Sequence, residues 1–186
     1  MGKSEVAKIF RQRGFPVFDS DAEVHALYDS SQGAALLNGE VPEAMQEGRV
    51  DRKIVTERVM QDKDLLSRLE KKVHAEIRRR RLMFLADAEK HGAKIAVVDV
   101  PLLFETAADK EVDATIVVSS AAQIQKQRAL ARPGMTEERL DMILGRQMPD
   151  AEKRQRATYV IENNGTLDDL KRTTEKLVAT LQQDFP

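Results

Sequence analysis

The chain predicts an α/β protein in which a mainly parallel sheet is flanked by helices. Two continuous apolar, β-branched runs, KIAVVDVPLLF at 94–104 and ATIVVSS at 114–120, suit strands buried on both faces of such a sheet. Helical spacing of apolar residues before and after these runs gives the alternation of an α/β fold. Gly2-Lys3-Ser4 opens a helical pattern that leads into a short extended run, the form of a helix N-terminus that holds an anion.

The elements follow in order. Ser4 to Arg13 reads as a helix with Val6, Ile9 and Phe10 on its apolar side and Gly14 as its C-terminal cap. FPVF at 15–18 is a short strand, with Pro16 near its start, running into Asp19-Ser20-Asp21 and a helix from about Ala22. Loop residues around Gly33, Asn38, Gly39 and Pro42 then give way to a long helical region. Its apolar side carries Leu65, Leu66, Leu69, Val73 and Ile77, then Phe84, Leu85 and Ala88. Residues 30–92 therefore read as an all-helical insert. After the 94–104 and 114–120 strands, a helix passes through Ile124 and Leu130. The RPGMT turn at 132–136 leads to another helix from Thr136, and Glu137 and Glu138 suit the dipole of its first turn. YVIENNG at 159–165 is the last strand. Thr166 caps the final helix, with Asp169 at the capping-box position. The organisation expected is one domain with core 1–29, 93–120 and 151–186, an insert at 30–92 and a lid at 121–150.

Composition narrows the function. With 186 residues, a net charge of −1 and 33 % charged residues, no global field recruits nucleic acid or an anionic membrane. Aromatics at 4 % and no tryptophan argue against a base-stacking surface. The absence of cysteine excludes disulfides and thiolate metal sites and fits a reducing cytosol. No apolar run reaches membrane-spanning length, and the first residues lack a signal-peptide pattern. The expectation is a cytoplasmic protein, a monomer or weak homo-oligomer, with neither nucleic acid nor membrane as partner.

The fragment Gly2-Lys3-Ser4 is the closing half of G-x-x-x-x-G-K-[ST]. In that pattern backbone N–H groups cradle a β-phosphate, Lys3 reaches the β/γ oxygens and Ser4 offers a hydroxyl to Mg²⁺. The alternative is a chance tripeptide on a surface turn. The pattern's first glycine and preceding strand would precede Met1, which predicts upstream codons for about 10 to 15 residues, a central strand and a glycine-rich turn. The chain as written is expected to be poorly stable and nearly inactive without them.

Asp21 follows a strand's carboxyl end, where it can accept a hydroxyl proton; the alternative is a helix N-cap, with Asp19 a solvated turn residue. Asp99 closes an apolar strand as a magnesium-assisting acid does, or as a strand-end acid bound by loop N–H groups. Glu105, after PLLF, has the same two readings. Arg128, Arg132, Arg139, Arg146, Arg154 and Arg156 lie between the third visible strand and the last. A helical lid needs such arginines, although most helix arginines are solvated. His74 can touch an anionic substrate, while Arg78–Arg81 reads as a solvated face rather than a binding site. The three histidines have no metal-ligand constellation, so the only metal expected is magnesium brought by a nucleotide.

Taken in order, GKSEVAKIFRQRGFPVFDSDAEVHALY, VHAEIR, VVDVPLLFE, RPGMTEERLDMILGRQM and YVIENNG resemble dephospho-coenzyme A kinase, over essentially the whole chain. The resemblance implies a P-loop kinase like the nucleoside-monophosphate kinases, with a five-stranded parallel core, a helical coenzyme A-binding insert and a helical lid. It implies transfer of the ATP γ-phosphate to the ribose 3′-hydroxyl of dephospho-coenzyme A, with Mg²⁺. Asp21 matches the proton-accepting acid. Gly2, Lys3, Ser4 and Glu5 match the phosphate loop, Arg128, Arg132 and Arg146 the lid, and Asn163 and Asn164 the adenine edge. Asp21, His74, Arg78, Leu103 and Glu105 fall on the acceptor side, and Ser4 and Asp99 on the metal side. Glu5 departs from the family's usual threonine, and Ala75 from its usual proline after His74. The rivals are a related P-loop kinase acting on a nucleotide or sugar acid, and an inactive nucleotide- or coenzyme A-binding protein.

Overall fold

The computed structural model describes residues 2–186; Met1, on which the expectation of an upstream start rests, lies outside them. The described chain forms two compact units, one built from residues up to Val17 together with Asp99–Pro186, the other from Phe18–Val98.

In the first unit, α1 (Lys3–Gln12) buries Val6, Ala7, Ile9 and Phe10. It ends in a Schellman pair: Gly14 N–H donates to the Arg11 carbonyl at 3.0 Å and Phe15 N–H to the Phe10 carbonyl at 3.1 Å. α1 packs against the last helix, and Arg13 reaches Glu175 at 2.6 Å. β5 (Ile116–Ser119) and β6 (Tyr159–Glu162) pair in parallel, Ile116 beside Tyr159 and Ser119 beside Glu162. Val117, Val118 and Ser119 are buried in succession, which requires cover on both faces of the strand. The last helix, Leu167–Asp184, buries Leu170, Thr174, Val178 and Leu181 on one face. Each fully buried aliphatic side chain contributes roughly 1.5–3 kcal/mol before entropy is counted.

The second unit holds Phe18 and Asp19 of β1 (Val17–Asp19) beside Val97 and Val98 of β4 (Val97–Asp99), the strands' end residues Val17 and Asp99 counting with the first. Between them come α2 (Ser20–Tyr28), α3 (Ser31–Leu37), α4 (Arg52–Gln61) and the 28-residue α5 (Lys63–Lys90). Leu65, Leu69, Val73 and Ile77 recur every fourth residue along α5 and meet Leu27, Leu37, Val41 and Val55 in one apolar core. Asp51 and Asp62 cap α4 and α5 through their first backbone N–H groups.

Three expectations need correction. Leu66, placed by periodicity on the buried side, is 37 % exposed, because the core stripe follows the i, i+4 row through Leu65. The insert is not all helix: β2 (Met45–Gln46) and β3 (Arg49–Val50) form an antiparallel hairpin, and residues read as loop form α3. The 94–104 run is strand only over Val97–Asp99. From Pro101 the chain coils into turns in which Thr106 N–H donates to the Leu102 carbonyl and Ala108 N–H to that of Leu103.

Candidate active site

Gly2 is the N-cap of α1, at φ +107° and ψ 7°. A Cβ there would lie 2.5 Å from the Asn163 side-chain nitrogen and 3.2 Å from Leu170, so only glycine fits this junction. Its carbonyl accepts the N–H groups of Glu5 and Val6 at 3.1 Å each. Lys3 follows, and its ammonium is in direct contact with the carboxylate of Asp99. The Asp99 side chain is 4 % exposed and that of Lys3 43 %, so a buried acid is neutralised by a cation that still reaches solvent. Ser4 is exposed and Glu5 half-buried in the first turn. The partner of Asp99 is thus a lysine 96 positions away.

Asn163 is buried, and its N–H continues the β5–β6 ladder to the Ser119 carbonyl at 2.7 Å. The side-chain oxygen of Asn164 accepts the Ala121 N–H at 2.8 Å, at the start of α6 (Ala122–Leu130). Arg128, near the end of α6, donates to the carbonyls of Asn163 and Gly165 at 2.7 and 2.8 Å. Arg128 is therefore a strut between α6 and the loop after β6.

α7 (Glu137–Gly145) starts at its cap Thr136, which accepts the Arg139 N–H at 3.2 Å. The Arg139 side chain donates to the Gly134 carbonyl. Arg132 and Arg146 are exposed and have no side-chain partner among the described residues. Arg154 lies on α8 (Asp150–Arg156), bound to Glu162 at 2.5 Å and Ser119 at 3.3 Å. Arg156 holds Asp109 at 2.9 Å and lies 4.9 Å above the Phe104 ring. Leu103 is half-buried in the turns after β4. Glu105 accepts from the Met148 N–H at 2.7 Å and pairs with Lys153 at 2.8 Å. Burial pushes the Glu105 carboxyl up, but Lys153 and the Met148 N–H more than offset it, and it titrates below the usual range.

In the other unit the capping role falls on Asp19, whose carboxylate accepts the Ala22 N–H at 3.0 Å. Asp21 sits in the first turn of α2, exposed, with no hydrogen-bond or ionic partner among the described residues. His74 is exposed on α5, as is Arg78. The Arg78–Arg81 run is not simply a solvated face. Arg80 binds Glu23, Glu76 and Gln32 at 3.0, 3.1 and 2.8 Å, and Arg81 is buried. Arg79, assisted by Arg80, holds the Glu76 carboxyl down at about 2. Lys153 carried no sequence signal: it reads as one more charge in DAEKRQR, yet it is buried against Glu105.

A glycine-capped helix start with a lysine in its first turn is a place that suits an anion. The model of the dephospho-CoA kinase family matches residues 1–169. The chain belongs to the dephospho-CoA kinase family. Dephospho-CoA kinase of Rhodopseudomonas palustris strain BisB18 is 46 % identical over 179 residues, 96 % of this chain and 89 % of that one. The Brucella melitensis enzyme of the same name is 45 % identical over 97 % of this chain and 90 % of its own. A crystal structure from Thermus thermophilus, 36 % identical, superposes with a TM-score of 0.78 over 97 % of this chain and 92 % of that one. Dephospho-CoA kinase from Campylobacter jejuni, 24 % identical, shares the fold at a TM-score of 0.76 over 98 % and 92 %. The dephospho-CoA kinase family is ATP-dependent and catalyses the final step of coenzyme A biosynthesis, and this chain is an enzyme of that family.

Proposed function

We propose that the enzyme transfers the γ-phosphate of ATP to the ribose 3′-hydroxyl of dephospho-coenzyme A with the residues named above. The observation that carries the reading is the contact of Lys3 with Asp99, which joins the start of α1 to the end of β4. The free N–H groups at the α1 N-terminus and the Lys3 ammonium suit the β- and γ-phosphates. Arg132 and Arg146, exposed cations on the 121–150 segment, suit the charge that moves onto the leaving oxygen. Asn163 and Asn164 border the adenine. On the acceptor side, Asp21 is a carboxylate with no partner among the described residues, and His74 and Arg78 are exposed groups for the anionic acceptor.

The 3′-oxygen attacks the γ-phosphorus as the bond to the β-phosphate oxygen breaks. ADP leaves, and the hydroxyl proton passes to Asp21. Magnesium prefers hard oxygen donors and keeps several waters, and the Ser4 hydroxyl and Asp99 carboxylate are donors of that kind. Among the described residues no three acidic, histidine or cysteine side chains form a cage, so a site completed by phosphate oxygens and water is the kind that fits. Bound there, the ion would neutralise triphosphate charge. In this reading the enzyme works in the cytoplasm on soluble substrates, as a monomer or weak homo-oligomer. Among the described residues no helix is long and apolar enough to cross a membrane.

ADP release with dephospho-coenzyme A, compared with AMP and gluconate, tests the reading. Turnover with dephospho-coenzyme A alone is expected. Preference for AMP or gluconate would transfer the chain to another small-molecule kinase, and binding without turnover would make it a binding protein.

A further inference from the structure

Among the described residues, the segment that carries Arg132, Arg139 and Arg146 is held at its two ends by partly buried hydrogen bonds and between them by buried Leu140 and the exposed Lys126–Glu137 pair. At the outgoing end Arg128 grips the Asn163 and Gly165 carbonyls, and Asn164 holds the Ala121 N–H. At the returning end Glu105 takes the Met148 N–H at 2.7 Å and the Lys153 ammonium at 2.8 Å, both on Oε1. From Ala131 to Gln147 only Leu140 is buried. Beyond Met148 the chain is fixed again, since Asp150 binds Ser119 at 2.6 Å and Arg154 binds Ser119 and Glu162. Arg156 adds the contacts with Asp109 and Phe104.

We infer that Glu105 is a positioning residue for phosphoryl transfer, the latch that fixes Met148 and so places Arg146, two residues earlier. Its Oε1 is taken by two donors and its Oε2 is buried, so the carboxylate offers no open face to an acceptor substrate. Side-chain exposures of 16 % for Glu105 and 10 % for Lys153 put the pair in a poorly screened place, where charge-assisted bonds hold geometry well. An arginine misplaced by about 1 Å at the transferring phosphoryl costs rate rather than binding. The inference rests on the lid reading proposed above.

The test is Glu105→Gln in the full chain, with kcat, KM for dephospho-coenzyme A and amide exchange measured together. A roughly tenfold fall in kcat is expected, with KM within about twofold and faster exchange across 146–148, while exchange in the β5–β6 pair stays the same. A KM raised tenfold at constant kcat would make Glu105 a substrate contact and overturn the inference. Unchanged exchange at Met148 would overturn it too. Glu105→Asp, which keeps the charge for Lys153 but shortens the reach to the Met148 N–H, gives the same readouts should Glu105→Gln fail to fold, with the same two outcomes. Arg146→Ala separates the readings: intact kcat there would overturn both the lid arginine's role and the inference, whereas a lowered kcat with unchanged exchange at Met148 in Glu105→Gln would overturn the latch alone.

Discussion

Asp19 accepts the Ala22 N–H and closes the first turn of α2, which leaves Asp21, two residues on, without a capping duty. Such a division of labour between neighbouring acids is what a proton acceptor needs, because a carboxylate committed to a helix N-terminus is a poor base. Asp21→Asn is therefore expected to keep ATP affinity and melting temperature while turnover falls by roughly 10²-fold or more. Near-parental turnover would remove Asp21 from the chemistry. Gly2 is constrained twice, by its positive φ and by the 2.5 Å approach to Asn163. Gly2→Ala is expected to cost about 1–3 kcal/mol of stability. ATP affinity should weaken with it, because the same shift moves the first N–H groups of α1. Thermal unfolding with and without ATP measures both, and an unchanged melting temperature would show that the junction yields easily.

Elements whose determinants are local were legible in the sequence, and those set by distant partners were not. The Thr166–Asp169 capping box spans four residues, and both of its hydrogen bonds form. β5 and β6 were both legible as strands, from ATIVVSS and YVIENNG, while their pairing with each other was not read. The β2–β3 hairpin was missed because its strands are two residues long and its turn uses Glu47 at φ 47° before Gly48 at φ 77°. Asparagine or aspartate is the usual sign of such a turn. Motif and strand-end position drew attention to Gly2, Lys3 and Asp99, and the family resemblance to Asn163 and Asn164, but the contact of Lys3 with Asp99 was not read. The partners of Arg128 and Glu105 lie 35 to 48 positions away, beyond any spacing rule. The capping box also makes a pH prediction. Thr166, by its side chain and then its N–H, holds the Asp169 carboxyl down at about 2, against an ordinary 3.8, with Arg172 helping. A depressed carboxyl stabilises the folded state above the unfolded value and loses that contribution as pH falls from 3.8 towards 2. Thr166→Ala should cost about 1 kcal/mol at neutral pH. It should also flatten the acid limb of the stability curve in that window; a parallel curve would mean that Arg172, not Thr166, sets the shift.

At the scale of the whole molecule, stability is unevenly spread, and the thin part is the part proposed above to close over the nucleotide. α5 buries an apolar row and β5 is covered on both faces, whereas from Ala131 to Gln147 one leucine is buried. A segment with so few buried contacts opens at low free energy. It is restrained by Leu140 and by the exposed Lys126–Glu137 pair at 3.1 Å, a kind of contact worth at most about 1 kcal/mol. Meanwhile, among the described residues, Arg132 in the turn after α6 and Arg146 at the C-cap of α7 have no side-chain partner, and two such exposed guanidiniums suit polyphosphate charge. Ligands that bind only the closed form at 100 times their Kd stabilise it by about 2.7 kcal/mol, close to a hundredfold in the opening equilibrium. Amide exchange across 131–147 is therefore expected to slow at least tenfold with ATP and dephospho-coenzyme A together, while exchange in α5 stays the same. In the Arg132→Ala/Arg146→Ala double variant most of that protection should vanish although the free protein exchanges as before. Equal protection in parent and variant would show that the segment closes without its arginines, and no change in either would show that it does not close at all.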